Sequence, residues 1–349
     1  MRHRANLDIL RSFAVCTVLI DHAIATLQFH PGYSNQSVLD FTAEIGQVGV
    51  TAFFVLTSLV LMESLRQLHQ TEKLVTLRFY VRRFFRIYPL SVFAILLALA
   101  FGIPSTTWGV PDPVTGLGIA ANLLLVQNLI TGTDILSPLW SLPYEVQMYV
   151  VLPAFYLVTK ARRAVLYTSG LIVFFSAAAV TLALTTGHLN MAAYVPCFLC
   201  GVLSYTLTDR VKPRIPAALW PVFIVAVIIA FCIVNLWFDS PYWLVWILAL
   251  ILGLAIPVFH SSTSAIANTV AETIARYSYG MYLLHVPVLY LVFFKMHTQS
   301  IPLGLAMFAV ITGISSVLCY HVIEKPAIDL GRRLSSSNSL RREESAVAA

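Results

Sequence analysis

Residues 117–130, LGIAANLLLVQNLI, decide the topology of this 349-residue chain. The stretch is apolar, but it is shorter than the roughly 20 residues that a bilayer core asks of a helix. It also carries Asn122, Gln127 and Asn128. Ten other stretches read as membrane spans: 8–27, 46–65, 87–103, 144–159, 165–184, 191–207, 218–238, 242–258, 277–294 and 302–322. Charge placement settles which side each loop faces, because cytoplasmic loops collect lysine and arginine. If 117–130 does not cross, 21 of the 22 Lys and Arg residues fall on one side and only Lys295 on the other. If it crosses, the split is 12 against 10. The first arrangement is the one the rule favours. The sequence therefore predicts an all-α membrane protein of about ten transmembrane helices with both termini cytoplasmic. Residues 104–143 become one long outer segment, with a short re-entrant or interfacial helix at 117–130.

Composition agrees. Hydrophobic residues make up 58% of the chain and charged residues 11%, where a soluble domain carries about a quarter charged. The net charge of +6 could suggest a nucleic-acid partner. Its location in loops between apolar runs argues for a lipid bilayer instead, and no nucleic acid is expected. The basic start MRHRAN leads into a stretch interrupted by Asp8 and Arg11, which reads as an uncleaved first helix rather than a signal peptide. Cys16, Cys197, Cys200, Cys232 and Cys319 all lie in apolar runs. The Cys197–Cys200 CxxC is read as packing thiols, and no disulfide framework or metal site is expected. Residues 1–326 form one transmembrane domain, and 327–349 read as a polar, disordered cytoplasmic tail. Asn35-Gln36-Ser37 matches a glycosylation sequon, a three-residue pattern that is common by chance.

Ionisable groups inside spans cost about 2.5–3.5 kcal/mol on insertion scales, so each calls for a reason. Asp8, Arg11, Asp21 and His22 share the first helix. Arg11 and His22 lie about 16 Å apart along it and on similar faces. A structural reading pairs Asp8 with Arg11 and leaves His22 as an interfacial histidine. Glu145 lies near the outer end of the fourth helix, at a depth that the count of residues makes similar to that of His22. A carboxylate there can orient an imidazole and raise its basicity, or simply cap the helix N-terminus. Arg83 and Arg86 are one turn apart at the mouth of the third helix. Their forks suit phosphates, or lipid headgroups. His285 falls near mid-membrane in the ninth helix, where it either packs or acts.

Taken together and in order, these residues resemble the acyltransferase 3 family of multi-pass membrane acyltransferases. The resemblance runs from Leu7 to about Pro326. It rests on Leu7-Asp8-Ile9-Leu10-Arg11 with ten residues between Arg11 and His22, and on Gly49 to Leu56. It also rests on Arg83 with Arg86, on Trp140-Ser141-Leu142 with Glu145, Gln147 and Tyr149, on Tyr279 to Pro287, and on Glu324-Lys325-Pro326. The family often has aspartate at the place of Thr51 and serine-glycine at Thr57-Ser58. The extra C-terminal hydrolase-like domain of some members has no counterpart in these residues.

The resemblance implies transfer of an acyl group, often acetyl, from acyl-CoA (acetyl-CoA) to a hydroxyl of a carbohydrate or glycan acceptor, in a bacterial cytoplasmic (inner) membrane. It implies His22 and Glu145 as the catalytic pair, with His22 as base or transient acyl carrier. Arg11, Arg83 and Arg86 would bind the donor. Asp8, Trp140, Ser141, Tyr149, Tyr282 and His285 would support the site. The rival from the residues alone is a transporter or flippase with buried His and Glu as a proton relay, which predicts matched inverted halves. A third reading is a non-catalytic membrane scaffold. The sequence does not name the acceptor, the acyl chain or the oligomeric state.

Overall fold

The computed structural model describes residues 4–30, 33, 38, 41–42, 44–71, 75–105, 114–186, 190–238 and 242–335. The elements are α1 (Arg4–Leu27), α2 (Ile45–Thr71), α3 (Val75–Phe101), α4 (Gly116–Leu123) and α5 (Gln127–Ile130). A 3₁₀ turn, Ser137–Ser141, leads into α6 (Leu142–Thr159). Then come α7 (Ala164–Thr186), α8 (Val195–Thr208), α9 (Leu219–Phe238), α10 (Tyr242–Ala255), α11 (Ala265–Leu289), α12 (Ile301–Cys319) and α13 (Lys325–Leu334). No strand forms among the described residues, apart from a single bridge between Ile215 and Phe259.

Each of the ten expected spans is a helix. Eight helical segments are long and apolar enough to cross a bilayer. Helices α6 and α10 occupy the other two expected positions. Helix α10 has only 14 residues, and α6 is diluted by Glu145, Gln147 and two prolines. Two helices begin well before their apolar runs: α3 starts at Val75 rather than 87, and α11 at Ala265 rather than 277. Hydropathy stops at charged residues, whereas helix propensity does not, since arginine is a good helix former. The basic cluster of Arg78, Arg82, Arg83 and Arg86 is therefore part of a helix and not a loop.

The stretch 117–130 folds as two short helices broken at Leu125, whose φ is 54°. An eight-residue helix rises about 12 Å, far short of a roughly 30 Å hydrocarbon core. The polar residues that made this stretch ambiguous are its staples. The Asn122 amide donates to Gly118 O and Thr133 O and accepts from Ile135 N, each at 3.0 Å. Gln127 Nε2 donates to Asp134 Oδ1 at 2.9 Å and Leu139 O at 3.1 Å. Irregular backbone packed this deep needs such internal partners.

Helix α1 packs against α2 and α11, and α2 packs in turn against α8. Small residues let the backbones close. A Cβ on Gly49 would sit 2.3 Å from Ala14 O, and one on Gly201 would sit 2.1 Å from Val55 O. At the arginine-rich face, buried Asn6 ties distant loops to α1. Its amide donates to His260 O, its side-chain oxygen accepts from Ser262 N, and its carbonyl accepts from Trp220 Nε1.

Helix α12 continues as a π-helical turn, Tyr320–Glu324, before α13. The Lys325 N–H reaches back five residues to Tyr320 O. Pro326 has no N–H to give and its ring crowds the preceding turn, which accounts for the widening. The polar tail expected from 327 thus begins as helix, because Ala327, Ile328 and Gly331 give it a face that packs on α3. Gly331 lies so close to Phe85 that a Cβ would come within 2.7 Å, and Arg82 Nε donates to Ser335 Oγ at 2.8 Å. The rest of that tail, 336–349, lies outside the described residues, as does the Asn35-Gln36-Ser37 sequon.

Candidate active site

Two clusters of polar groups occupy the helix bundle, one around His22 and one around three arginines. His22 lines a cavity of about 300 Å³ together with Asp21, Gln47, Trp140, Tyr194 and Tyr282. Its Nδ1 lies 3.1 Å from Val18 O, which can only accept, so Nδ1 carries the proton in the neutral ring. Asp21 Oδ2 stands 3.5 Å from the same nitrogen. Nε2 is then the basic atom, and the Ser137 hydroxyl sits 3.3 Å from it. The outer segment supplies Ser137, so the Asn122 and Gln127 staples hold one wall of the site.

His285 packs edge to face on His22, with ring centroids 4.8 Å apart. It is fully buried. Its Nδ1 donates to Tyr282 O at 2.7 Å, and its Nε2 has no hydrogen-bond partner. Pro287 lies in the same helix two residues on. Tyr282 OH and Ser141 Oγ are 2.7 Å apart, which joins α11 to the Trp140-Ser141-Leu142 turn.

One helical turn further, Glu145 marks the second cluster. Its Oε1 accepts from Tyr149 OH at 2.5 Å and from Thr57 Oγ1 at 3.3 Å. Arg83 and Arg86 lie within electrostatic reach of it, as does Arg11 from α1. Arg86 Nη1 pairs with Glu324 Oε2 at 2.9 Å, and its guanidinium lies 5.7 Å from the centre of the Tyr279 ring. Arg83 lies 5.9 Å from the centre of the Phe79 ring, and its buried Nε has no hydrogen-bond partner. Three guanidiniums thus meet Glu145 and Glu324, with Asp8 also within electrostatic reach of Arg11.

The structure brings Arg11, Arg83, Arg86, Glu145 and Tyr149 together, and separately His22, Tyr282, His285, Ser141 and Trp140. It does not join the two expected catalytic groups by a hydrogen bond. His22 turns to Ser137, Asp21 and His285, and Glu145 turns to Tyr149, Thr57 and the arginines. The path between them runs through Ser141, Tyr282 and His285. Glu145 stands in the first turn of α6, and its Oε1 is taken by Tyr149 and Thr57. Asp8 forms its ion pair with Arg4, at 3.9 Å, and lies within electrostatic reach of Arg11. Sequence reasoning missed Ser137, which no motif marks. It took Thr57 only as a family departure, although that hydroxyl fits Glu145. It quoted Glu324 as a motif residue, and the fold makes it the partner of Arg86.

The sequence profile of an acyltransferase domain, acyltransferase 3, matches residues 4–323. Over 153 residues, 42% of this chain and 38% of the relative, it is 32% identical to acyltransferase MdmB of Streptomyces mycarofaciens. It is 26% identical to the putative peptidoglycan O-acetyltransferase YrhL of Bacillus subtilis (strain 168), over 95% of this chain and 56% of that protein. The matches thus span little more than half of either relative's length at most. No solved structure matches the chain.

Proposed function

We propose that this chain, which belongs to the acyltransferase 3 family, is a multi-pass membrane O-acyltransferase that moves an acetyl group from acetyl-CoA to a hydroxyl of a glycan. One observation carries this reading: a histidine with its basic nitrogen beside a cavity stands near a cluster of three arginines, one of which, Arg83, has a buried N–H with no hydrogen-bond partner. Arg83 and Arg86, with Arg11, hold the nucleotide phosphates of the donor, since planar forks match phosphate oxygens and Arg83 has an idle buried N–H. The charge count of the loops supports a cytoplasmic position for this cluster, where coenzyme A is found. The acyl end of the donor reaches between the helices toward His22. His22 Nε2 takes the proton of the acceptor hydroxyl as the oxygen attacks the thioester carbonyl, and the thiolate leaves. Asp21 and Val18 O keep Nδ1 protonated, so the free lone pair is on Nε2. Glu145 acts on the donor side, where it tethers Thr57 and Tyr149 and sets the spacing of the arginines. The name of the Bacillus relative supports a glycan acceptor.

The test is transfer in sealed vesicles. Purified protein is reconstituted with its own envelope glycans, and isotopically labelled acetyl-CoA is added on the arginine-rich side. Mass spectrometry should find labelled O-acetyl esters on glycan. Label that stays in acetyl-CoA, with folded protein present, would overturn the reading. Transport instead asks for matched inverted halves. The polar groups here come from α1, α2, α3, α6 and α11, and no second set mirrors them among the described residues.

A further inference from the structure

The cavity beside His22 has two unlike walls. One is aromatic. Trp140 and Tyr194 reach the cavity and are held in an interlocked cluster. Their ring centres are 5.6 Å apart, Tyr144 lies 6.1 Å from Trp140 and 4.9 Å from Tyr194, and Tyr242 lies 6.5 Å from Tyr194. Rings fixed in this way lose little freedom when a ligand lies against them. The other wall is polar and carries Asp21, Glu44 and Gln47 next to His22. Gly46 makes room for the Asp21 carboxylate, because a Cβ there would come within 2.9 Å of its Oδ2.

We propose that this cavity is the subsite for one pyranose ring of the acceptor, with Trp140 and Tyr194 as its stacking wall and Asp21 as a holder of ring hydroxyls. The proposal rests on the acyl-transfer reading above and adds the shape of the group recognised. A pyranose has a C–H face and a rim of hydroxyls. The C–H face matches the negative face of an aromatic ring, and the rim matches a carboxylate and an amide. A purely apolar ligand would press hydrocarbon on the Asp21 carboxylate at a desolvation cost, and a polyanion would face Asp21 and Glu44. The volume of about 300 Å³ is at the low end for small-molecule pockets, which suits a single ring better than a chain of them. The Ser137 hydroxyl, 3.3 Å from His22 Nε2, marks a position at which a hydroxyl meets the base. A ring stacked on Trp140 would present one of its own hydroxyls to that nitrogen.

Saturation-transfer NMR on the full chain in nanodiscs tests this without donor or turnover. The probes are methyl β-D-glucopyranoside and methyl β-D-galactopyranoside, with the open-chain polyol glucitol as the control for hydroxyls alone. The wild type should saturate the axial C–H protons of the pyranosides and leave glucitol unsaturated. Trp140→Ala should weaken pyranoside binding at least tenfold, while Trp140→Phe, which keeps a ring, should retain most of it. Equal binding by Trp140→Ala, glucitol saturated as strongly as the pyranosides, or no pyranoside bound by folded wild type would each overturn the subsite. If Trp140→Ala does not fold, Trp140→Phe against Trp140→Leu decides by the same readout. None of these readouts uses acetyl transfer in vesicles, so failure of the subsite is distinguishable from failure of the acyl-transfer reading.

Discussion

The arginine cluster and the His22 cavity differ in how they are held. The arginines sit on regular helices, and rigid partners from other helices fix them: Glu324 on Arg86, and Tyr149 and Thr57 on Glu145. His22 also sits on a helix, but irregular backbone faces it, in the 3₁₀ turn that carries Ser137 and the outer segment behind it. The first region is built around guanidiniums, the second around rings, hydroxyls and the Asp21 carboxylate. A site that keeps phosphates and a proton acceptor apart can make each electrostatically suited to its own partner. Like charge beside His22 would compete with its role as a base.

Four experiments would break or sharpen this contrast. The largest effect belongs to the cavity. His22→Ala should lower acyl transfer by at least about 10³-fold, within the range for general-base removal, while circular dichroism and thermal stability stay near wild type. Retained transfer would remove His22 from the chemistry.

The next is structural and belongs to the arginine side. Glu324 is 1% exposed, so Glu324→Ala leaves Arg86 without its ion-pair partner. Breaking such a pair costs about 3 kcal/mol. Denaturation in detergent should show a loss of that order; a change under about 0.5 kcal/mol would mean that the pair does not latch α13 to α3.

Arg83→Ala should then raise the Kd for coenzyme A by roughly tenfold to a hundredfold, the worth of a charge-assisted hydrogen bond. Isothermal titration reads this directly. His22→Ala should leave the same Kd nearly unchanged if the two regions are separable, and an equal rise in both would merge them.

The smallest effect lies in the outer segment. Burial pushes the Asp134 carboxyl up to about 6, against the opposing pull of its hydrogen bond from Gln127. The folded protein therefore holds this proton more tightly than the unfolded chain does. Its contribution to stability is present below about pH 4 and is lost as pH rises through about 6. Asp134→Asn should remove that slope, a difference on the order of 2 kcal/mol between acid and neutral pH. Identical pH–stability curves for the two proteins would place Asp134 in water.

Much of the fold was legible because lipid restricts the choices. Backbone in hydrocarbon must satisfy its own hydrogen bonds, so long apolar runs become helices, and lysine and arginine mark the sides. Helix ends were less legible. Arg78 to Arg86 looked like a loop because hydropathy reads charge as a boundary, although arginine extends a helix readily. At the site, Arg83 and Arg86 could be paired from their spacing of three, since neighbours on one helix face follow from sequence. Glu145 could be given a position along its helix but not its partners. Depth is a count along one helix, whereas facing is a rotation set by how α6 packs against α2 and α3.

The sequence by itself determined an apolar, all-helical chain, a stretch at 117–130 too short to cross as one helix, and the set of residues that marks the acyltransferase family. Those properties follow from composition and from spacing within single helices. Only the tertiary structure decided that Glu145 turns to Tyr149 and Thr57 rather than to His22, that Ser137 meets the basic nitrogen, that His285 packs edge to face on His22, and that a π turn before Pro326 brings Glu324 to Arg86. Apart from Glu145 and Tyr149, one turn apart on a single helix, these contacts join segments far apart in the chain, and they depend on helix rotation and close approach, which no local spacing encodes.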